Sequence, residues 1–338
     1  MNRDLHFDYT TIGHVTIDVL DDGSRRAGGT AFYSAVQAAR LGLHARILTR
    51  GVPGEIEALL EPFLGELELT VLPAPHTTTL HTLGSGSERS QRVLAWAGPI
   101  AADLELDTAI LHLAPVARET PTRWRWAPRG APAGTPVAPP EGTPRGGAPL
   151  PPHPRAPFVG LTPQGLVRDW GGPGGQITQV PPMGAGAAAI AGRCDAIVVS
   201  EHERASCSAL IAAARAAGAT VAVTAGAGPI TILTQGTAAP ASSAEASEPE
   251  IPALELDVPV LALDVPALEQ PVDDLGAGDV FAAAFFVALS EGRSPLAAAG
   301  FGSAAAAVRM GGSGAGAIGG REEIEARLSL TAGVGDQR

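Results

Sequence analysis

The stretch Val272-Asp273-Asp274-Leu275-Gly276-Ala277-Gly278-Asp279-Val280-Phe281 combines residue types suited to moving a phosphoryl group. Gly276 and Gly278 frame a small alanine, and Asp279 stands directly before an apolar, alanine-rich helical pattern that runs to Leu289. Backbone N–H groups at a helix N-terminus, with no bulky side chain in the way, form a cradle for negative charge. An aspartate at the same helix end can take the proton from an attacking hydroxyl. The same residues also suit a plainer role, a glycine-rich turn whose aspartate caps a helix. Other parts of the chain decide between the two.

Three further segments carry candidate chemistry. Ser200-Glu201-His202-Glu203 falls at a strand end and a helix start. A carboxylate there can organise water around Mg²⁺, which takes few protein ligands, or simply complement the helix dipole. Thr224-Ala225-Gly226-Ala227-Gly228 ends a strand in a turn slim enough for backbone to approach nucleotide phosphates, although hairpin turns share this composition. Near the N-terminus, Gly13, Asp18, Gly28 and Gly29 combine an acceptor for substrate hydroxyls with glycines that permit close approach.

The elements that must position these groups alternate along the chain. Phe7 to Asp18 reads as a first strand containing Gly13, and Asp22-Gly23 as a tight turn. Gly28-Gly29-Thr30 opens a helix over Ala31 to Leu41, closed by Gly42. Strands are expected at Ala45 to Thr49, Leu67 to Leu72 and Ala109 to Leu113. Thr77 to Leu83 and Gln91 to Ala95 flank Gly84-Ser85-Gly86-Ser87 and read as a polar β-hairpin. Residues 117–157 and 235–250, rich in Pro, Gly or small polar residues, read as low-complexity loops. Between them come strands at Phe158 to Thr162, Ala196 to Ser200, Thr220 to Thr224 and Ile230 to Thr234, with one helix over Glu203 to Ala217. Helices over Gly278 to Ser290, Pro295 to Met310 and Arg321 to Leu328 complete the chain. This alternation implies an α/β fold in one domain, a doubly wound, mostly parallel sheet flanked by helices. The segments near 14–30 and 77–95 do not fit that sheet and are expected to form a small β lid over a site.

Composition removes several function classes. The chain has 338 residues, 45% of them hydrophobic, enough for a full core. Its net charge of −12 argues against a nucleic-acid partner, despite the basic, aromatic Arg123-Trp124-Arg125-Trp126. No apolar run reaches the length of a membrane span, and Met1-Asn2-Arg3-Asp4 does not lead into a signal-peptide core, so a cytoplasmic protein is expected. Cys194 and Cys207 cannot build a disulfide framework, and no Cys/His cluster has zinc-ligand spacing. All 23 basic residues are arginine. Without lysine the chain cannot hold a Walker A loop, a protein-kinase active site or a Schiff base. Phosphate chemistry must then use backbone N–H groups, a metal ion and arginine, with Arg92 and Arg168 as candidates. Gly311-Gly312-Ser313-Gly314-Ala315-Gly316 follows a helix and not a strand, the wrong setting for dinucleotide binding.

In order and spacing these pieces resemble the ribokinase-like (PfkB) carbohydrate kinase family. That family has a Gly-Gly segment near the N-terminus, a mid-chain Asn-x-x-Glu, a Thr-x-Gly-x-x-Gly turn, and a late Asp-Thr-x-Gly-Ala-Gly-Asp. Gly28-Gly29-Thr30-Ala31-Phe32-Tyr33, the short lid and Gly160-Leu161-Thr162-Pro163-Gln164-Gly165 with Arg168 are most similar to the inositol-kinase branch. The resemblance implies Asp279 as general base and the Gly276-Ala277-Gly278 backbone as anion hole. It implies a metal-organising role for Glu203, and nucleotide binding by Ser200, Thr224, Gly226 and Gly228. Asp18, Gly28, Gly29, Gln164 and Arg168 would hold the substrate, with ATP as donor and Mg²⁺ as cofactor. Three positions depart from the family pattern. Ser200 replaces Asn, Asp274-Leu275 replaces Thr-x beside a possible monovalent-cation site, and Gly228 falls one residue short of the second glycine.

The implied reaction is in-line transfer of the γ-phosphoryl group of MgATP to a hydroxyl of a small polyhydroxylated molecule, a sugar or cyclitol. A nucleoside kinase on the same fold would need aromatic stacking, for which Phe32 and Tyr33 are candidates. A non-catalytic nucleotide- or sugar-binding protein is the third reading. The β lid could also pair with a second copy to form a homodimer.

Overall fold

The computed structural model describes residues 7–84, 89–100, 104–121, 124–126, 157–182, 185–234, 260–263 and 271–335. The loop expected at 235–250, most of that at 117–157, the tip at Ser85-Gly86-Ser87, Arg123 and the N-terminal Met1 to Asp4 lie outside these residues.

A nine-stranded sheet forms the centre. Its strands are β1 (Phe7–Ile12), β4 (Ala45–Gly51), β5 (Glu68–Pro73), β9 (Thr108–Leu113), β11 (Phe158–Leu161), β14 (Ala196–Ser200), β15 (Thr220–Thr224), β16 (Ile230–Leu233) and β17 (Val260–Leu263), in the order β17-β16-β15-β14-β11-β9-β1-β4-β5. All neighbours are parallel except β15–β16 and β16–β17. Helices cover both faces, and alternating strand residues feed two separate cores. Tyr9, Ile47, Val198 and Ala222 face one core with α1 (Thr30–Arg40), α2 (Pro53–Leu60), α6 (Ala277–Ser290) and α7 (Pro295–Met310). Their neighbours Leu48, Ile197, Val199, Val221 and Val223 face the other, with α3 (Ala185–Ala191) and α5 (Ser208–Ala216). α6 is apolar on nearly every side and buried from Val280 to Ala288, as a helix without a polar face must be. Phe286 rests directly on Gly160 of β11, where an added Cβ would lie 2.4 Å from its ring. α8 (Arg321–Gly335) packs on α7.

The lid is a second, four-stranded sheet, ordered β3 (Arg25–Gly28), β2 (Thr16–Val19), β6 (Thr79–Leu83), β7 (Ser90–Ala95). The segments expected to leave the central sheet therefore do so. The single strand expected over Phe7 to Asp18, however, is two strands in two sheets. A Cβ at Gly13 would lie 2.0 Å from the carbonyl oxygen of Ala114, so only glycine lets the chain leave β1 and turn into β2.

Other expectations also needed correction. The helix read over Glu203 to Ala217 is two, α4 (Glu201–Arg204) and α5, separated at Ala205 to Cys207. α2, which the expected elements lack, starts with Pro53 at its first helical position, where the missing N–H costs nothing. Residues 117–157 are not loop throughout. β10 (Trp124–Trp126) pairs in parallel with β8 (Leu104–Leu106). Glu119 is fully buried, its carboxylate accepting the N–H groups of His14 (2.8 Å), Val116 (2.7 Å) and Ala117 (2.6 Å). Two short strands, β12 (Arg168–Asp169) and β13 (Thr178–Gln179), form an antiparallel pair.

Candidate active site

A cavity of about 250 Å³ opens beyond the carboxyl ends of the central strands, roofed by the lid. This is where a doubly wound sheet places its ligands. Ser200 and Thr224 end β14 and β15, Thr162 follows β11, and the start of α6 closes one side; all contribute to the lining.

Gly276, which caps the start of α6, has a left-handed φ of 82°. Glycine is required here twice over, because an added Cβ would also lie 2.4 Å from the ring of Tyr33. The Ala277 N–H donates to the Asp274 carbonyl at 3.2 Å. The Gly278 and Asp279 N–H groups, in the first helical turn, find no acceptor among the described residues and lie at the positive end of the helix dipole. Of the three residues read as an anion hole, Gly276 and Gly278 line the cavity and Ala277 does not.

Asp279 lines the same cavity. Burial raises its carboxyl to about 6; the Thr30 hydroxyl and the Arg168 guanidinium pull it down, and the charges of Glu203 and Asp18 push it further up. Thr30 begins α1, and its Oγ1 also accepts a short hydrogen bond from Gln164 Nε2. Gln164 and Thr30 are thus linked beside Asp279. Gln164 was expected from sequence; Thr30 was not singled out.

Asp18 stands on β2, facing the cavity but only 2% exposed. Burial raises its carboxyl, while the Thr16 hydroxyl, 2.8 Å from Oδ1, and Arg26, Arg168 and Arg89 favour its ionised form. Gly28 lies on β3 outside the cavity lining, and its contribution is space. A Cβ there would lie 2.2 Å from Asp18 Oδ2. Gly29 lines the cavity at φ 93°, and a Cβ would lie 2.3 Å from the His14 carbonyl oxygen.

Glu203 also lines the cavity. Its Oε2 accepts the Ser200 hydroxyl at 2.7 Å and the Ser200 N–H at 3.2 Å, so it caps α4 while facing the site. Among the described residues, no group of three or more His, Cys, Asp and Glu is arranged to hold a metal ion. Thr224 lines the cavity, whereas Gly226 and Gly228 do not. Gly226 keeps a left-handed φ of 60° in the turn between β15 and β16.

Two arginines reach the cavity. Arg168 donates from Nη1 to the Val116 carbonyl at 3.1 Å. Burial lowers its guanidinium, and Glu203, Asp279, Glu119 and Asp18 counter that; arginine stays protonated regardless. Arg89, from the lid, pairs with Asp274 through a short contact. Arg92 is exposed on β7 and outside the lining, so Arg89, not Arg92, is the lid arginine in the cavity. Tyr33 lines the site too; burial pushes its phenol up to about 12, and its hydroxyl has no partner among the described residues. Phe32 is buried in the core against Phe63 and does not reach the cavity. Thr162 lies 3.0 Å from His112 Nε2, and His112 Nδ1 lies 2.8 Å from the Tyr9 hydroxyl. Burial holds His112 down at about 3, so this internal imidazole is neutral.

The mostly parallel sheet with helices on both faces and the β lid have the architecture of the ribokinase-like fold. Residues 259–319 match the model described as pfkB family carbohydrate kinase. No curated protein matches the sequence. Among solved structures, the chain is similar to a pyrophosphate-dependent kinase in the ribokinase family complexed with a pyrophosphate analog and myo-inositol (19% identity, TM-score 0.62, covering 94% of this chain and 99% of that one). It is also similar to Arabidopsis thaliana ribokinase complexed with ribose and ATP (17% identity, TM-score 0.59, 96% and 99% covered). A nucleoside kinase of Methanocaldococcus jannaschii, an archaeal member of the ribokinase family, matches at 15% identity with a TM-score of 0.59, 96% and 98% covered. At these identities the likeness is one of fold. The chain has the ribokinase-like fold its motifs implied, its residues 259–319 match the pfkB model, and a myo-inositol kinase stands among the solved structures of similar fold. Among the described residues, no helix is long and apolar enough to cross a membrane.

Proposed function

We propose that this protein transfers a phosphoryl group from ATP to a hydroxyl of a small sugar or cyclitol, with Asp279 as general base. The observation that carries this reading is the convergence on one cavity of Asp279, free amides at the start of α6, Asp18, Glu203 and two arginines. The acceptor hydroxyl gives its proton to Asp279 as its oxygen attacks the γ-phosphorus. The bond from that phosphorus to the bridging oxygen breaks, and ADP leaves. Charge on the equatorial oxygens is met by the Gly278 and Asp279 N–H groups and by Arg89 and Arg168. A carboxyl raised to about 6 is mostly ionised at neutral pH and basic enough to accept the proton.

Asp18, with the unpartnered Tyr33 hydroxyl, supplies the polar contacts a polyol requires. The Tyr33 ring packs against Gly276 and lies 5.6 Å from the Arg309 guanidinium. That favours a polyol over a stacked nucleobase. The crowded carboxylates of Glu203, Asp279 and Asp18 suit a hydrated Mg²⁺ that takes most of its ligands from water and phosphate, with Glu203 holding its water shell. Mg²⁺ bound there supplies charge neutralisation for the donor phosphates.

A second donor, pyrophosphate, is favoured by one observation. Gly226 and Gly228, the turn expected to line a nucleotide, stand outside the cavity. The pyrophosphate-dependent kinases among the similar structures fit that choice. The test is a product-release screen with ATP and pyrophosphate, each with Mg²⁺, over sugars, cyclitols and nucleosides, run on the wild type and Asp279→Asn. A loss of at least about 10²-fold in kcat for the variant is expected, in line with removal of a general base. Undiminished turnover in Asp279→Asn would remove the general-base assignment.

A further inference from the structure

Arg309, the penultimate residue of α7, has no exposed surface. Its guanidinium meets four oxygens. Nη1 donates to the carbonyls of Asp273 (3.3 Å) and Gly312 (3.0 Å), and Nη2 to the Leu275 carbonyl (2.7 Å) and Asp273 Oδ2 (3.0 Å). One carboxylate oxygen and three main-chain carbonyls converging on a buried point are the ligands a hard monovalent cation takes when it sheds water. Here an arginine side chain fills that position. It also lies at the C-terminal end of α7, where the helix dipole favours positive charge. The surroundings reinforce the cage. Asp273 Oδ2 also accepts the Gly314 N–H and Arg26 Nη1, each at 3.0 Å, and the Val272 N–H donates to the Met310 carbonyl at 2.9 Å.

Two of the gripped carbonyls belong to the loop that opens α6. In a trans peptide the C=O and the following N–H point in opposite directions. Fixing the Leu275 carbonyl on the Arg309 side therefore turns the Gly276 N–H toward the cavity side of the loop. It also seats Gly276 in its left-handed conformation against Tyr33. We infer that Arg309 is a positioning residue, a built-in cation that organises the phosphate-binding amides and makes the site independent of any dissolved monovalent cation. The inference rests on the phosphoryl-transfer reading for its effect on turnover, but not for its effect on anion binding.

The test has two parts. Turnover by the wild type is compared in potassium, sodium and tetramethylammonium chloride at equal ionic strength, and kcat is expected to agree within about twofold. Pyrophosphate binding, followed by calorimetry with Mg²⁺ in the same three salts, is expected to be equally insensitive. Arg309→Ala is expected to lower kcat at least about 100-fold, with acceptor KM changed far less, and to regain part of kcat and of pyrophosphate affinity when millimolar guanidinium is added. If Arg309→Ala does not fold, Arg309→Lys, which keeps the charge but not the fork, is expected to fold and to lower kcat with little change in acceptor KM. A wild type at least tenfold faster in potassium than in tetramethylammonium overturns the inference. So does an Arg309 variant with wild-type kcat and pyrophosphate affinity, or a wild type that binds no pyrophosphate in any salt. A wild type that phosphorylates no acceptor refutes the proposed function instead, and the binding series still decides the role of Arg309.

Discussion

The Thr30 hydroxyl is the sharpest handle on the proposed base. It accepts from Gln164 and favours the ionised form of the neighbouring Asp279 carboxylate, as a donor to it would. Thr30→Val keeps the shape and removes the donor. A hydrogen bond to a charged group contributes about 1.5–3 kcal/mol, and 1.36 kcal/mol corresponds to one pH unit of titration. Losing it should raise the Asp279 titration from about 6 by roughly one to two pH units. The sign follows from the active form being deprotonated. In the wild type, kcat/KM should climb with pH to a plateau above about 6, falling about tenfold per unit on the acid side. In Thr30→Val the climb should move to about pH 7–8, so that activity near pH 7 falls while activity near pH 9 is largely retained. The assay is kcat/KM against pH at saturating donor for both proteins. Gln164→Leu, which removes only the outer link, should move the climb less. An acid limb in Thr30→Val that coincides with the wild type would refute the coupling. A uniform loss at every pH would show that the hydroxyl acts on geometry and not on proton affinity.

Three further outcomes follow from the same contacts. Gly29→Ala, at φ 93° and with its Cβ 2.3 Å from the His14 carbonyl oxygen, should destabilise the fold by about 1–3 kcal/mol in denaturant unfolding; an unchanged midpoint would contradict the strain. Arg89→Ala breaks a partly exposed ion pair, so stability should change by less than about 1 kcal/mol while donor KM rises about tenfold, and a thermal shift without a KM change would count against a phosphate role. At Asp273, burial pushes the carboxyl up, but the Gly314 and Leu275 N–H groups and Arg309 outweigh it and hold it at about 2. That stabilisation is complete above its unfolded value near 3.9 and is lost as pH falls toward about 2, so Asp273→Asn should lower stability at neutral pH and flatten the acid unfolding limb below about pH 4.

The parts of the site legible in sequence are those whose signals are local. The glycine frame of Asp279, the Gly28-Gly29 pair and the Ser200–Glu203 cap each lie within a few residues, and backbone sterics or helix-end chemistry dictate them. Arg309 could not be read this way. It sits in an alanine-rich helix more than thirty residues from the Asp273 and Leu275 carbonyls it holds, and nothing local distinguishes it from a surface arginine. Thr30 reads as part of a helix start, but Asp279, whose titration it influences, comes from the far end of the chain. Arg89 rather than Arg92 reaches the cavity because the lid sheet fixes which strand residues face inward, and that register depends on pairing between β6 and β7. The fold was legible to the same degree. Strand–helix alternation predicts the central sheet, while the break at Gly13 depends on the distant Ala114 carbonyl.

The root of the lid has a mechanical consequence. Where β1 passes into β2, the His14 N–H is held by Glu119, the His14 ring lies 2.8 Å from the Thr78 hydroxyl, and the Val15 N–H donates to the Thr49 hydroxyl at 2.8 Å. Anchored on three sides at its base, this flap behaves as a cantilever, not a door on a hinge. Any bending falls on its outer span, and the carboxylate of Asp18, close to the clamp, keeps its place.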